Sequence, residues 1–283
     1  MTENYINPNP EPMIKGEGPN FSYCGYTHIG GRTEDQDFLA YEEANGRHIF
    51  IVCDGMGGHA GGCVASETAT NEILESFKRQ PAIMPTKDAI ISAVEDANSA
   101  VYKKSQEEPR LRGMGTTLTL LVFDDTAAYI TYVGDSRIYQ LRKNKKIFRT
   151  FDNSMVFEQV AKGKLTEEEA RVHPRGNILS KALGILPDIE VKVTKLDYKT
   201  NDRFILCCDG VWNSQPEPEI ISMLTSNSDL ETMIQTTKNL VEKIGLEKGG
   251  HHDNHTMIAV DMKNNSKYKK SFLSKILNII LKD

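Results

Sequence analysis

Ile49-Phe50-Ile51-Val52-Cys53-Asp54-Gly55-Met56-Gly57-Gly58-His59-Ala60-Gly61-Gly62 is the stretch from which the rest of the chain can be read. Residues 49–53 are apolar without a break, the length and composition of a strand buried on both faces. The run stops at Asp54-Gly55, so a carboxylate is delivered to a strand end. The glycines behind it permit backbone conformations closed to other residues and let the chain approach a bound group closely. Val64, Thr68, Ile73 and Leu74 then predict an amphipathic helix.

The same device recurs. Residues 204–208 run into Asp209-Gly210, residues 129–133 run into Gly134-Asp135, and Asp253-Asn254 stands just ahead of the apolar run 256–260. One Asp-Gly after a strand is usually a turn and nothing more. Four strands that each carry an Asp at one end, read as unneutralised by nearby Lys or Arg in sequence, predict a cluster of carboxylates whose mutual repulsion calls for a cation. Hard oxygen donors select magnesium, manganese or calcium.

The chain has 283 residues, 39% hydrophobic and 26% charged, which suits one large globular domain. Its formal charge of −5 is uneven. Residues 263–283 hold six Lys and one Asp and carry +5, leaving −10 on residues 1–262. An acidic body argues against nucleic acid as a partner, and against a two-metal nuclease, which needs a basic groove. The five cysteines (24, 53, 63, 207, 208) show no zinc-ligand spacing; an odd number, mostly within apolar strands, reads as reduced, packed thiols of a cytoplasmic protein. No signal peptide and no apolar run of the roughly 20 residues needed to span a bilayer is visible.

The expected layout is a disordered lead-in over 1–20, rich in Asn, Pro and Glu, a catalytic domain over 21–262, and a basic amphipathic tail over 263–283. Within the domain, residues 21–29 alternate like a strand. Arg32 follows in a polar turn, as either a surface ion-pair partner or a planar fork for a phosphate. Thr86 is expected to cap a second helix with Ile90, Val94, Ala97 and Val101 on its buried face. A run of antiparallel strands from Gly115 to Leu141 follows, then short helices over 154–163 and 165–172, the second opened by a Thr166/Glu169 capping box. Strands are expected over 189–196 and 203–208, and a long helix over 228–244. The order predicts an α+β fold of antiparallel sheets covered by helices.

Val52-Cys53-Asp54-Gly55-Met56-Gly57-Gly58-His59, Met114-Gly115-Thr116-Thr117, Val133-Gly134-Asp135-Ser136-Arg137, Cys207-Cys208-Asp209-Gly210-Val211-Trp212 and Asp253-Asn254-His255-Thr256 together resemble, in order, the motifs of the bacterial metal-dependent (type 2C, PPM) serine/threonine protein phosphatases. The resemblance implies a four-layer sandwich, two central antiparallel sheets flanked by helices on both sides. It also implies a pair of Mn2+ or Mg2+ ions, with a third weaker ion in bacterial members, and hydrolysis of phosphoserine or phosphothreonine by a metal-activated water. Carried over residue by residue, Asp54 resembles the bridging ligand and Gly55 a carbonyl ligand. Asp209 and Asp253 resemble ligands of the other ion, Asp37 the acid that holds a metal-bound water, and Asp135 with Asp209 the third site. Arg32 resembles the phosphate-gripping arginine, and residues 166–175 fall where the family has a flap.

The chain departs from the family pattern at Asp35, where relatives have Asn, at Met56, where eukaryotic members have a histidine that protonates the leaving group, and at Arg175, one place early in the flap. His59 is the nearest imidazole to Met56 and is read as general acid, loop histidine, or bystander to a proton from metal-bound water. The implied partners are phosphorylated proteins, a cognate Ser/Thr kinase or its substrates among them, met by a monomer. The alternative is a catalytically inactive phosphoprotein-binding module of the same fold. Phe272, Leu273, Ile276, Leu277, Ile279, Ile280 and Leu281 among lysines give the tail an apolar face for an anionic membrane surface, the acidic body or a partner.

Overall fold

Alternation within the apolar runs decides the layering. In a computed structural model, which describes residues 13–226 and 228–263 and, of His59 and Ala60, the backbone alone, the chain begins with β1 (Met13–Glu17), β2 (Phe21–Tyr26), β3 (Asp37–Ala44) and β4 (Arg47–Met56). In β4, Ile49, Ile51 and Cys53 point into one core while Phe50 and Val52 point into another. Successive side chains of a strand face opposite ways, so an unbroken apolar run is what two buried faces require. The two helices α1 (Gly58–Arg79) and α2 (Thr86–Glu107) cover the first of these faces, with Ile73, Phe77, Ile90, Val94, Ala97 and Val101 fully buried.

Next come β5 (Gly115–Thr116), β6 (Leu118–Phe123), β7 (Ala128–Val133), β8 (Arg137–Arg142) and β9 (Lys145–Arg149), then α3 (Met155–Ala161) and α4 (Glu167–Arg171). The chain closes with β10 (Thr194–Leu196), β11 (Asp202–Cys207), α5 (Asp209–Trp212), α6 (Glu217–Leu224), α7 (Leu230–Glu247) and β12 (Met257–Met262). One sheet has the order β1-β2-β12-β11-β8-β9, the other β10-β7-β6-β4-β3, with β5 paired to β4. Every named pair is antiparallel. Phe21, Phe50, Leu121, Phe123, Phe204, Leu206, Ile258 and Val260 fill the space between the sheets. Ile205, Cys207, Tyr139 and Ala259 on the outer face of the β1-β2-β12-β11-β8-β9 sheet pack against Trp212, Ile220, Met233 and Ile234 of α5–α7. This is the expected α+β four-layer sandwich. A large apolar side chain truncated in any of its three cores should cost ~2–5 kcal/mol.

Several local expectations are corrected. The lead-in joins the fold at Met13, because β1 pairs along the edge of β2 and Ile14 packs against the inter-sheet core. Pro85, not Thr86, is the N-cap of α2; the Thr86 hydroxyl instead donates to Asp124 Oδ2 at 2.8 Å. Of residues 189–196 only Thr194–Leu196 pairs, with β7. Ile189, Val191 and Val193 still pack on the helix-covered core, so their alternation reports burial without a backbone partner. β9, α5 and α6 were not foreseen. The Thr166/Glu169 capping box forms as expected, and the long helix begins two residues later than expected, capped by Asp229. The tail beyond Lys263 and residues 1–12 lie outside the described residues.

Candidate metal centre

Register brings the acids together. β3 and β4 pair so that Asp37 stands opposite Asp54. In the facing sheet, β11 and β12 pair at Cys207 and Met257, which sets Asp209, just after one, and Asp253, just before the other, at the same end of the sandwich. Asp135 arrives in the turn between β7 and β8. One ligand-bearing oxygen or sulfur each of Asp37, Asp54 and Cys208 lies within 4.8 Å of the others.

Hydrogen bonds hold the backbone under this cluster. The Asp54 N–H donates to Thr117 Oγ1 (3.0 Å), and the Asp54 carbonyl accepts from the Thr117 N–H (2.8 Å) and the Thr116 hydroxyl (2.9 Å). Thr117 Oγ1 also meets Ser136 Oγ at 2.7 Å, tying Asp54 to the Asp135 turn. Trp212 donates Nε1–H to the Asp135 carbonyl at 2.9 Å, and its ring lies under the Arg137 guanidinium at 3.4 Å. Asn254 accepts from Gln36 N–H and donates to the carbonyls of Ile29 and Glu34, so the segment bearing Asp253 and the Arg32 turn are one unit. Glycine is required at 55, where a Cβ would come within 2.0 Å of the Gly62 carbonyl oxygen. That close approach lets α1 start directly behind Asp54.

The electrostatics are those of a site built for cations. Burial, then the neighbouring carboxylates, push Asp37, Asp54 and Asp135 well above the usual range, and burial with Asp253 beside it raises Asp209 to about 7. Asp37 Oδ2 and Asp209 Oδ1 are buried with no hydrogen-bond partner. Arg137 offsets the cluster only in part, at Asp135, because its Nε and Nη2 both donate to Asp152 at 2.8 Å. Converging, desolvated, unpaired carboxylate oxygens fit hard divalent ions. Burial with Asp37 and Asp54 beside it holds the Cys208 thiol well above its usual range, which favours the neutral thiol over the thiolate.

A sequence profile described as protein phosphatase 2C matches residues 24–248. The chain belongs to the protein phosphatase 2C family. It is 33% identical over 224 residues to the serine/threonine phosphatase stp of Listeria welshimeri, covering 78% of this chain and 87% of that one. The solved serine/threonine phosphatase of S. agalactiae superposes with a TM-score of 0.78 at 29% identity, over 86% of this chain and all of that one. The catalytic domain of the serine/threonine protein phosphatase PstP, solved with two manganese ions, superposes with a TM-score of 0.74 at 27% identity, over 87% of this chain and 99% of that one.

Within this phosphatase 2C fold, Asp37, Asp54, Gly55, Asp135, Asp209 and Asp253 gather at one end, and Arg32 joins them through Asp253 at 2.8 Å. His59 is in the first turn of α1, and its side chain lies outside the described residues. Asp35, without an assigned role in the sequence, accepts from the Asp37 N–H (3.1 Å) and the Thr27 hydroxyl (2.7 Å), and so shapes the turn that presents Asp37. Thr117 and Cys208 stood within motifs of the sequence without a site role assigned to them, and Asp152 stood in none. A cleft of 190 Å³ opens beside Asp209 and Asp253, walled by Asn177 at the end of the flap segment and by Val241, Ile244 and Gly245 of α7. Among the described residues no helix is long and apolar enough to cross a membrane.

Proposed function

We propose that the chain is a metal-dependent protein serine/threonine phosphatase, a phosphoric monoester hydrolase that takes phosphorylated proteins as substrates. The observation that carries this is the meeting of five aspartates from both sheets, four with raised pKa and two with an unpaired buried oxygen. Asp54, the Gly55 carbonyl, Asp37, Asp209 and Asp253 would hold a Mn2+ or Mg2+ pair, and Asp135 with Asp209 a third ion. Bound there, such ions supply a nucleophilic water near neutral pH and stabilise charge on the phosphoryl oxygens.

The residues of the chain do the rest. Arg32, half-exposed at the mouth, offers a planar fork that orients the phosphoryl group for in-line attack. The cleft along α7 opens beside Asp209 and Asp253, where residues flanking the phosphorylated one could lie. The excess of buried carboxylates over nearby cations would repel the anionic substrate until the site is loaded. His59 is the proposed donor of the proton to the leaving alkoxide. His59→Asn should then slow phosphopeptides far more than an aryl phosphate, whose leaving group needs no proton.

All the ligand positions carry oxygen donors, so no observation favours an inactive module. Turnover of a phosphothreonine peptide in the presence of Mn2+, abolished by EDTA and restored by Mn2+, is the direct test; undiminished turnover in EDTA would reject it. The cognate kinase, the monomeric state and a contact of the basic tail with anionic lipid or a partner belong to the same proposal. Chains ending at Asn264 should keep peptide turnover and lose pelleting with anionic vesicles at low salt.

A further inference from the structure

Beside the aspartate cluster stands a second group of titratable residues for which the phosphatase reaction has no use. It lies where β2 leads out to Arg32, α7 passes, and the chain approaches β12. Glu242 Oε1 meets His28 Nδ1 at 3.1 Å, His255 Nε2 at 2.8 Å and His252 Nε2 at 2.6 Å. A single carboxylate oxygen has two lone pairs, so three ring nitrogens crowd a position that satisfies two donors. His28 Nδ1 also lies 3.0 Å from the Gly30 N–H, a weaker claim on its single lone pair than a divalent ion would make. A cation bound among the three groups would replace the donors crowded at Glu242 Oε1.

We propose that His28, Glu242 and His255 form a mononuclear site for a zinc-class divalent ion, distinct from the oxygen-ligand centre. One donor atom from each lies within 4.8 Å of the others. The 2.8 and 3.1 Å separations approach the edge of about 3.3 Å that tetrahedral bonds of 2.0–2.1 Å imply. Two imidazoles and a carboxylate suit zinc, cobalt or nickel, whereas the aspartate cluster suits manganese or magnesium. The outer groups are also in place. Tyr26, fully buried, has its hydroxyl 2.9 Å from His255 Nδ1 and can fix the tautomer that turns Nε2 to a metal; His252 hydrogen-bonds the Glu242 carboxylate.

The ion would clamp loops that matter to the first site. His28 and His255 already exchange backbone hydrogen bonds of 3.1 and 2.9 Å, and Gly31 N–H donates to the His252 carbonyl. The turn bearing Arg32 and the segment bearing Asp253 would thus be fixed to α7. The inference does not depend on the phosphatase assignment.

The test uses the full chain, stripped by chelation, loaded with excess Mg2+ and titrated with Zn2+, with zinc-edge X-ray absorption on the first equivalent. Wild-type protein and Asp209→Asn, which lacks a ligand of the oxygen centre, should both hold one Zn2+ with two imidazole nitrogens in its shell. Glu242→Gln and His255→Gln should bind it at least 10-fold more weakly while keeping wild-type circular dichroism. A wild-type shell without imidazole would overturn the site whether or not the variants fold. Unchanged zinc affinity in Glu242→Gln would overturn it too, leaving a hydrogen-bonded hub only.

Discussion

Arg32 Nη2 donates to Asp253 Oδ2 at 2.8 Å, joining the polar turn after β2 to the acid before β12 across 221 residues. The pair sits at the solvent edge of the site, both side chains about half-exposed, so it contributes little to stability. Its value lies in placing a guanidinium beside an acid assigned to a metal.

Arg32→Ala should lower kcat/KM on a phosphothreonine peptide by about 10- to 100-fold and leave the stoichiometry of bound Mn2+ unchanged in calorimetric titration. Arg32→Lys should recover only part of the loss, because an ammonium lacks the bidentate fork. Loss of tight Mn2+ binding in Arg32→Ala would assign the residue to the metal site instead.

Asp54→Asn and Asp209→Asn should each abolish turnover, since each removes a negative ligand from a doubly charged ion. In the metal-free protein the same changes should raise stability above that of metal-free wild type by ~1 kcal/mol or more, and the melting temperature with it, because they relieve repulsion among desolvated carboxylates. Thermal unfolding in EDTA at pH 8 checks this; variants less stable than wild type would show that the acids do not repel as argued.

Metal-free protein should lose stability as pH rises from about 4, the unfolded aspartate value, to about 7, the folded value of Asp209. The folded pKa is the higher, so in this window the native state holds protons that the unfolded chain has released, and raising pH favours unfolding. Asp37, Asp54 and Asp135 shift in the same direction. The slope reaches ~1.4 kcal/mol per pH unit for each such proton, and saturating Mn2+ should flatten it. Denaturant melts at pH 5, 6, 7 and 8 with EDTA or Mn2+ read it directly; a flat profile in EDTA would count against the clustered acids.

Asp135→Asn should slow turnover while metal analysis still finds the two-ion core occupied, as expected of a ligand to a third ion. Trp212→Phe should reproduce part of that defect, because it deletes the indole N–H that holds the Asp135 carbonyl, and should cost ~1–3 kcal/mol from that buried hydrogen bond and the Arg137 stacking. Full activity of Asp135→Asn across Mn2+ concentrations would reduce Asp135 to a turn residue.

The sequence by itself determined the layers and the chemistry. Unbroken apolar runs such as residues 49–53 demand two buried faces, and an Asp at the end of each run is visible wherever the chain is read. Local signals with a local cause, such as the Thr166/Glu169 capping box, also survived folding. Where a residue had a stronger distant partner the local signal failed: Thr86 turned from capping to Asp124, and residues 189–193 kept their alternation without a strand partner. Only the tertiary structure decided which acids meet, because that depends on strand register, Asp37 against Asp54 and Cys207 against Met257, between segments far apart in the chain. It alone also revealed the Glu242 cluster. His28, Glu242 and His255 have no common spacing, and their meeting exists only once β2, α7 and β12 are packed.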